Sequence, residues 1–241
     1  MATKSVKEAS SEVDFVVTMV PVGSNVREIF LEDGILAAAA PGTVMIDSST
    51  IDVGSAQAVH EAAKSAGFNM IDAPVSGGVI GADAGTLTFM CGGDKDSFEK
   101  AKPILQGMGK NIVHCGSGGL GQATKICNNM LAGINALAAA EAMTMGERLG
   151  VSPDILYEVI STSTGRSYIF ETSNPMPDVC STSPANNKFK PGFMAKLMLK
   201  DLRLSQAAAQ DAKTSTPLGA AATAAFQQLI DSGFGDLDTS S

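Results

Sequence analysis

Lys125 and Asn129 stand four residues apart in the segment Lys-Ile-Cys-Asn-Asn, and a lysine amine beside a side-chain amide is a pair able to move and steer a proton. On a helix, residues four apart share one face, so the two side chains point the same way. Their neighbours Ala123, Ile126, Cys127, Met130, Leu131, Ala132 and Ile134 make the helix apolar almost all round, which predicts that it is buried. A lysine and two amides (Asn128, Asn129) in such a place require polar partners, because unpaired buried charge is costly. Burial can also lower a lysine's pKa towards neutrality, the range in which an amine exchanges protons. Taken by itself, Lys-x-x-Asn-Asn more often marks a solvated helix surface, and the surrounding sequence reverses that preference.

The helix is preceded by glycines. Gly116, Gly118 and Gly121 spell G-x-G-x-x-G, and Glu141 follows about twenty residues on, as in a dinucleotide-binding fingerprint. That fingerprint needs a strand after its helix, ending near the acidic residue. Here the helical pattern runs unbroken over 123–149 and leaves Glu141 mid-helix. The glycines are expected instead to make a tight turn that brings the helix start close to another segment.

Upstream, strands and helices alternate. Residues 14–20 are a short apolar run ending at Pro21, the pattern of a buried strand. Ser24 or Asn25 can cap a helix to about Ala40, where Pro41-Gly42 breaks it. Strands follow at 43–47, 68–71, 86–91 and 111–114, with helices opening at Asp52 and near Asp94. This alternation predicts a mostly parallel sheet with helices on both faces. From Ala123 onward the pattern is all helix and loop. One long helix ends at Gly150, a second starts with Ser152 and Pro153, and two more cover 193–213 and 217–230 behind Thr216. The shift near Gly119 marks a boundary between a strand-helix domain at 1–118 and an all-helical domain at 119–241. No internal repeat is visible.

In open α/β sheets, ligands bind outside the carboxyl ends of the strands. Three such ends carry polar or turn-forming residues: Val20-Pro21-Val22-Gly23-Ser24-Asn25, Asp47-Ser48-Ser49-Thr50 and Ser76-Gly77-Gly78. Each alone is ordinary turn chemistry. Three at one edge of a sheet favour a binding role, and Ser76-Gly77-Gly78 offers a hydroxyl and close backbone amides to a carboxylate. Lys200-Asp201 reads by periodicity as a solvated helix face, and Arg166 sits in a loop between helices.

The net charge of −8 argues against a nucleic-acid or anionic-membrane surface. Cys91, Cys115, Cys127 and Cys180 form no C-x-x-C pair, and with His60 and His114 they give no metal-ligand spacing. The thiols read as reduced, in an intracellular compartment. No apolar run reaches the ~20 residues of a membrane span. The opening residues resemble neither a signal nor a transit peptide.

Asp72-Ala73-Pro74-Val75-Ser76-Gly77-Gly78, Gly119-Leu120-Gly121-Gln122-Ala123-Thr124-Lys125-Ile126-Cys127-Asn128-Asn129 and Lys200-Asp201-Leu202, in that order, resemble the β-hydroxyacid dehydrogenases. Ser163-Thr164-Gly165-Arg166-Ser167, Asn174-Pro175-Met176-Pro177 and Pro184-Ala185-Asn186-Asn187 are similar, more narrowly, to the eukaryotic 3-hydroxyisobutyrate dehydrogenases. The resemblance covers nearly the whole chain and implies a Rossmann-type parallel sheet followed by an all-α domain. It implies that Lys125 is the catalytic lysine, giving a proton to the carbonyl on reduction and removing it on oxidation, and that Asn129 orients the substrate beside it. Ser76, Gly77 and Gly78 would bind the substrate carboxylate, and Val20, Pro21, Asn25, Thr50 and Lys200 would contact the nicotinamide cofactor. The implied reaction is NAD-dependent oxidation of 3-hydroxyisobutyrate, a small hydroxyacid, to methylmalonate semialdehyde in valine breakdown, in the mitochondrial matrix.

The sequence departs from that family at its start. No strand, glycine turn and acidic ribose ligand precede Asp14, so the sheet is expected to be partial, the pyrophosphate anchor missing and NAD binding by these residues weak. Two alternatives remain: a catalytically dead relative serving as a binding module, and a reductase of glyoxylate, succinic or tartronate semialdehyde, from which the loop around Arg166 points away. The apolar long helix and the Ala-rich stretch at 219–225 predict buried helix–helix contacts, and a homo-oligomer is the expectation.

Overall fold

The computed structural model describes residues 4–32 and 34–241. In its first part α1 (Val6–Ser10) precedes β1 (Phe15–Thr18), α2 (Gly23–Arg27), a π-helical turn over Glu28–Glu32, α3 (Ile35–Ala38), β2 (Val44–Asp47) and α4 (Val53–Ser65). Then come β3 (Asn69–Asp72), β4 (Val75–Ser76), α5 (Gly78–Asp83), β5 (Leu87–Gly92), α6 (Lys95–Gln106) and β6 (Gly109–Gly116). The remainder is helical: α7 (Leu120–Arg148), α8 (Pro153–Ser161), α9 (Tyr168–Thr172), a 3₁₀ turn at Pro184–Asn187, α10 (Ala195–Asp211), α11 (Pro217–Leu229) and a π-helical turn at Ile230–Phe234. The chain divides into two compact units, residues 1–126 and 127–241, with the division inside α7.

In the sheet unit β1, β2 and β3 run parallel and in register, so that Thr18, Asp47 and Asp72 stand side by side at their carboxyl ends. β5 is antiparallel to both β3 and β4, and β6 is parallel to β5. A mostly parallel sheet is the expectation from sequence, and β5 departs from it for a simple reason. Only the six-residue α5 and its flanking turns join β4 to β5, shorter than the crossover a parallel pairing requires. Alternation along the strands splits the core between the two faces. Val44, Ile46 and Ile71 pack with Phe98, Ala101 and Leu105 of α6. Met45 and Met70 face the other way, onto Val26, Phe30 and the α4 residues Ala56, Val59 and Ala63.

Asp52 and Asp94 cap α4 and α6, accepting from the backbone N–H of Ser55 at 2.7 Å and of Ser97 at 2.8 Å. The bond from the Ser97 amide holds the Asp94 carboxyl below its ordinary range. α2 differs from its sequence reading. Neither Ser24 nor Asn25 caps it. Val22 precedes its first residue without a side-chain cap, and the expected single helix to Ala40 is broken into α2, the π-helical turn and α3. Close approach explains the start. A Cβ on Gly23 would lie 2.5 Å from Asp52 Oδ2 and 2.7 Å from Ser55 Oγ, so this turn is set by packing against α4.

In the helical unit Ala136, Ala195, Met198, Leu199, Leu202, Ala222 and Phe226 form the main core, and Ala139, Met143 and Phe170 a second cluster. α7 is not buried all round as its composition predicts. Leu131 and Met145 are 58% and 62% exposed. Asp238 accepts from the amides of Gly192 at 2.9 Å and Phe193 at 3.0 Å, which ties the last residues to the segment entering α10. Among the described residues, no helix is long and apolar enough to cross a membrane.

Candidate active site

At the carboxyl ends of β1 and β2, polar side chains bind two turns together. Asp47 is buried and accepts from the hydroxyls of Thr18 at 2.8 Å and Ser49 at 2.7 Å and from the Ser49 amide at 3.3 Å. Burial pushes its carboxyl above the ordinary range, against the lowering effect of those bonds. Ser49 Oγ also accepts from the Val20 amide at 2.8 Å, which fastens the turn after β1 to the turn after β2. Val20 and Asn25 are half-buried, Pro21 is exposed, and Thr50 is half-buried between the buried Ser49 and Ile51. Four of the sequence-predicted cofactor residues thus lie on or beside two turns joined through Ser49. Apolar surface from Val20, Pro21 and Val22 beside a threonine suits the flat, amide-bearing nicotinamide end of a dinucleotide.

The start of α7 is occupied by protein. Asp72 is fully buried, and its Oδ1 accepts from the Gly119 amide at 2.8 Å while Oδ2 accepts from the Gln122 amide at 2.8 Å. His60 Nε2 donates to the same carboxylate at 2.8 Å. A helix N-terminus that could receive a phosphate here receives an aspartate. The glycines permit the approach. A Cβ on Gly118 would lie 2.5 Å from the His60 ring, and one on Gly121 would lie 2.7 Å from the Asp72 carbonyl. The G-x-G-x-x-G spelling is therefore a close-packing turn, as expected from its lack of a following strand.

Lys125 is 8% exposed on the first part of α7. In the helical unit Asn129 is 4% exposed, and its Nδ2 donates to Asp201 Oδ2 at 2.6 Å while its Oδ1 accepts from Asn128 at 3.0 Å. Lys200 Nζ lies 3.2 Å from Asp201 Oδ1. Asp201 therefore gathers Asn129 and Lys200, and Lys200-Asp201 is no solvated pair, since the aspartate is 3% exposed.

Ser76 closes β4, opposite Thr88, and Gly77 and Gly78 open α5 at φ +136° and +62°, backbone conformations that favour glycine. Both glycines are exposed. Arg166 pairs with Glu171 at 3.2 Å on the surface. The Cys91 thiol is pushed up to about 12, first by burial and then by Cys115 and Asp72, and is no nucleophile. Among the described residues, no group of three or more His, Cys, Asp or Glu could hold a metal ion.

Asp47, Ser49, Asp72, Gln122 and Asp201 hold these residues; the sequence reading marked Asp47 and Ser49 only as part of a polar strand end, took Lys200-Asp201 for a solvated face, and gave Asp72 and Gln122 no role of their own. A signal for two of them exists. Met-Ile-Asp occurs at 45–47 and again at 70–72, and β2 and β3 pair the two copies residue for residue.

Two family models match the chain. Residues 1–116 match the family model described as the NAD binding domain of 6-phosphogluconate dehydrogenase. Residues 119–241 match that described as NAD-binding of NADP-dependent 3-hydroxyisobutyrate dehydrogenase. The chain is 43% identical over 240 residues to the NAD-dependent L-serine dehydrogenase of Pseudomonas aeruginosa, covering 99% of this chain and 80% of that protein. It is 43% identical over 234 residues to a probable mitochondrial 3-hydroxyisobutyrate dehydrogenase of Dictyostelium discoideum, covering 97% and 73%. The solved structure of Mycobacterium tuberculosis 3-hydroxyisobutyrate dehydrogenase with L-serine superposes with a TM-score of 0.93 at 45% identity, covering 99% of this chain and 81% of that one.

Proposed function

Because the chain belongs to the β-hydroxyacid dehydrogenase family, a family of NAD-dependent enzymes, we propose that it oxidises 3-hydroxyisobutyrate to methylmalonate semialdehyde, with Lys125 as the proton-transfer residue. The observation that carries this reading is a lysine 8% exposed on α7, one turn before an asparagine whose amide is held by a buried aspartate. Lys125 takes the proton of the substrate hydroxyl in oxidation and returns it in reduction. Asn129, fixed by Asp201, orients the hydroxyl towards that amine. Ser76 and the amides of Gly77 and Gly78 receive the substrate carboxylate. Val20, Pro21, Asn25, Thr50 and Lys200 hold the cofactor, and bound NAD supplies the hydride acceptor. Valine breakdown as the setting and the mitochondrial matrix as the compartment belong to the same proposal; the Dictyostelium relative's name, which includes 'mitochondrial', supports the organelle.

L-Serine is the second reading, favoured by the Pseudomonas relative's name. Both compounds are short 3-hydroxy acids and present the same carboxylate and primary alcohol to these residues. In the protein that carries this chain, Lys125→Ala lowers kcat with 3-hydroxyisobutyrate by roughly 10²-fold or more, the scale of a lost acid–base group. Most of the kcat surviving would remove Lys125 from its role. The ratio of kcat/KM for 3-hydroxyisobutyrate and L-serine decides between the substrates.

A further inference from the structure

Gln122 is fully buried, although a side-chain amide in the first turns of a helix is ordinarily wet. Both ends of its side chain are used on one short stretch of backbone. Its Oε1 accepts from the Ile51 amide at 3.0 Å, and its Nε2 donates to the Ser49 carbonyl at 2.7 Å. These are the groups on either side of Thr50, where the chain leaves β2 and the sheet no longer pairs its backbone. The orientation of the amide is unambiguous, because a backbone N–H needs an acceptor and a carbonyl a donor. The backbone of Gln122 is itself held, its N–H donating to Asp72 Oδ2 at 2.8 Å.

We propose that Gln122 is a positioning residue for nicotinamide binding, acting through Thr50. Its carboxamide sets the Ser49-Thr50-Ile51 turn in place and so presents Thr50 to the nicotinamide end of the cofactor. The inference rests on the reading of Thr50 as a nicotinamide contact. Within α7, Gln122 also stands one turn before Lys125, so a single helical turn carries both the clamp on the cofactor turn and the proposed proton-transfer amine. Only a carboxamide can do this. A carboxylate would set two acceptors against each other at Ser49, and an isosteric leucine would leave both backbone groups buried without partners.

The test compares NAD with ADP-ribose, which keeps the adenosine, pyrophosphate and second ribose and lacks the nicotinamide. In the protein that carries this chain, Gln122→Leu and Gln122→Glu weaken NAD binding by roughly tenfold or more, and leave ADP-ribose binding within about twofold of wild type. Equal loss of both ligands would mean that Gln122 only supports the fold, and no loss of either would mean that the clamp does not matter to the cofactor; either result overturns the proposal. Hydrogen exchange at the Ile51 amide tests the clamp without any ligand. Exchange there speeds up in Gln122→Leu, while the amides of Ile46 and Ile71 in the strands stay protected. Unchanged exchange at Ile51 overturns the proposal whatever the titrations give. A wild-type protein that binds neither ligand, with Ile51 still deprotected by the substitution, would instead overturn the cofactor reading on which the proposal rests.

Discussion

Thr50 and Asn129 are held in different ways. Thr50 lies on a turn, and its place is set by side chains that grip the backbone beside it: Gln122 on either flank, and Ser49 and Asp47 behind. Asn129 rides on a helix, where Asp201 accepts from its amide nitrogen and Asn128 donates to its amide oxygen. The difference follows from the backbone. A helix already determines where a side chain starts, so only its rotamer remains to be fixed. A turn beyond a strand end has lost its ladder and must recover each buried hydrogen bond from side chains. Buried polar groups of the sheet unit are therefore expected to matter for stability, and those of the helical unit chiefly for catalysis.

The largest effect expected from this contrast comes from removing the two aspartates. Asp72→Ala strips the partner from the Gly119 and Gln122 amides and from His60, and is expected to destabilise by about 3–5 kcal/mol, as when one side of a buried charged network is deleted. Asp201→Ala takes one partner from the Asn129 amide and one from a lysine that is 26% exposed, and is expected to cost about 1–3 kcal/mol while lowering turnover more than stability. Urea unfolding of the two variants reads the difference. Equal losses would erase the distinction between the units.

A smaller effect concerns glycines. An added methyl on Gly121 meets the carbonyls of Met90 and Asp72, backbone atoms that cannot turn aside, and Gly121→Ala should cost about 1–3 kcal/mol or more. On Gly133, deep in the helical unit, the nearest atoms are the methyls of Leu202 at 3.0 Å, which a rotamer change can move. The gain of ~1 kcal/mol in helix propensity opposes that strain, so Gly133→Ala should be near neutral. Melting temperatures of the two variants test the pair, and a more damaging Gly133→Ala would reverse the argument.

Much of this was legible in the sequence. The alternation of strand and helix, the helix starts at Asp52 and near Asp94, the long helix and the false glycine fingerprint all follow from local patterns, and local patterns survive folding. The unread parts depend on what meets what. The start of α2 is decided by Asp52 and Ser55 at the start of α4, and in the sequence the cap-type residues Ser24 and Asn25 beside Gly23 signal a different start. Gln122 looks like any polar residue of an early helical turn until Ser49 and Ile51, about seventy residues away in sequence, are placed against it. α7 is apolar in composition yet leaves Leu131 and Met145 exposed, because composition measures how apolar a helix is and not which of its faces has a neighbour.

The finest test is of Asp47, where the sheet unit's dependence on buried polar groups has a sign that can be read against pH. Burial raises the Asp47 carboxyl above its ordinary value of 3.8, with the neighbouring Asp72 adding to the rise, while the Ser49 and Thr18 bonds oppose it. A carboxyl raised in the folded state contributes its stability below the unfolded value and loses it as pH rises through the folded value. Asp47→Asn keeps an oxygen able to accept from Thr18 and Ser49 and removes the titration. Asp94, lowered by its Ser97 cap, acts in the opposite sense, but it is present in both proteins and cancels from their difference. The stability of wild type relative to Asp47→Asn should therefore fall as pH rises from about 4 towards neutrality and then level off. Melting temperatures of the two proteins across that range read the change. A difference that stayed flat, or grew in favour of wild type with rising pH, would show that the hydrogen bonds to Asp47 outweigh its burial, and that the turns of the sheet unit are held by an ionised carboxylate at no cost.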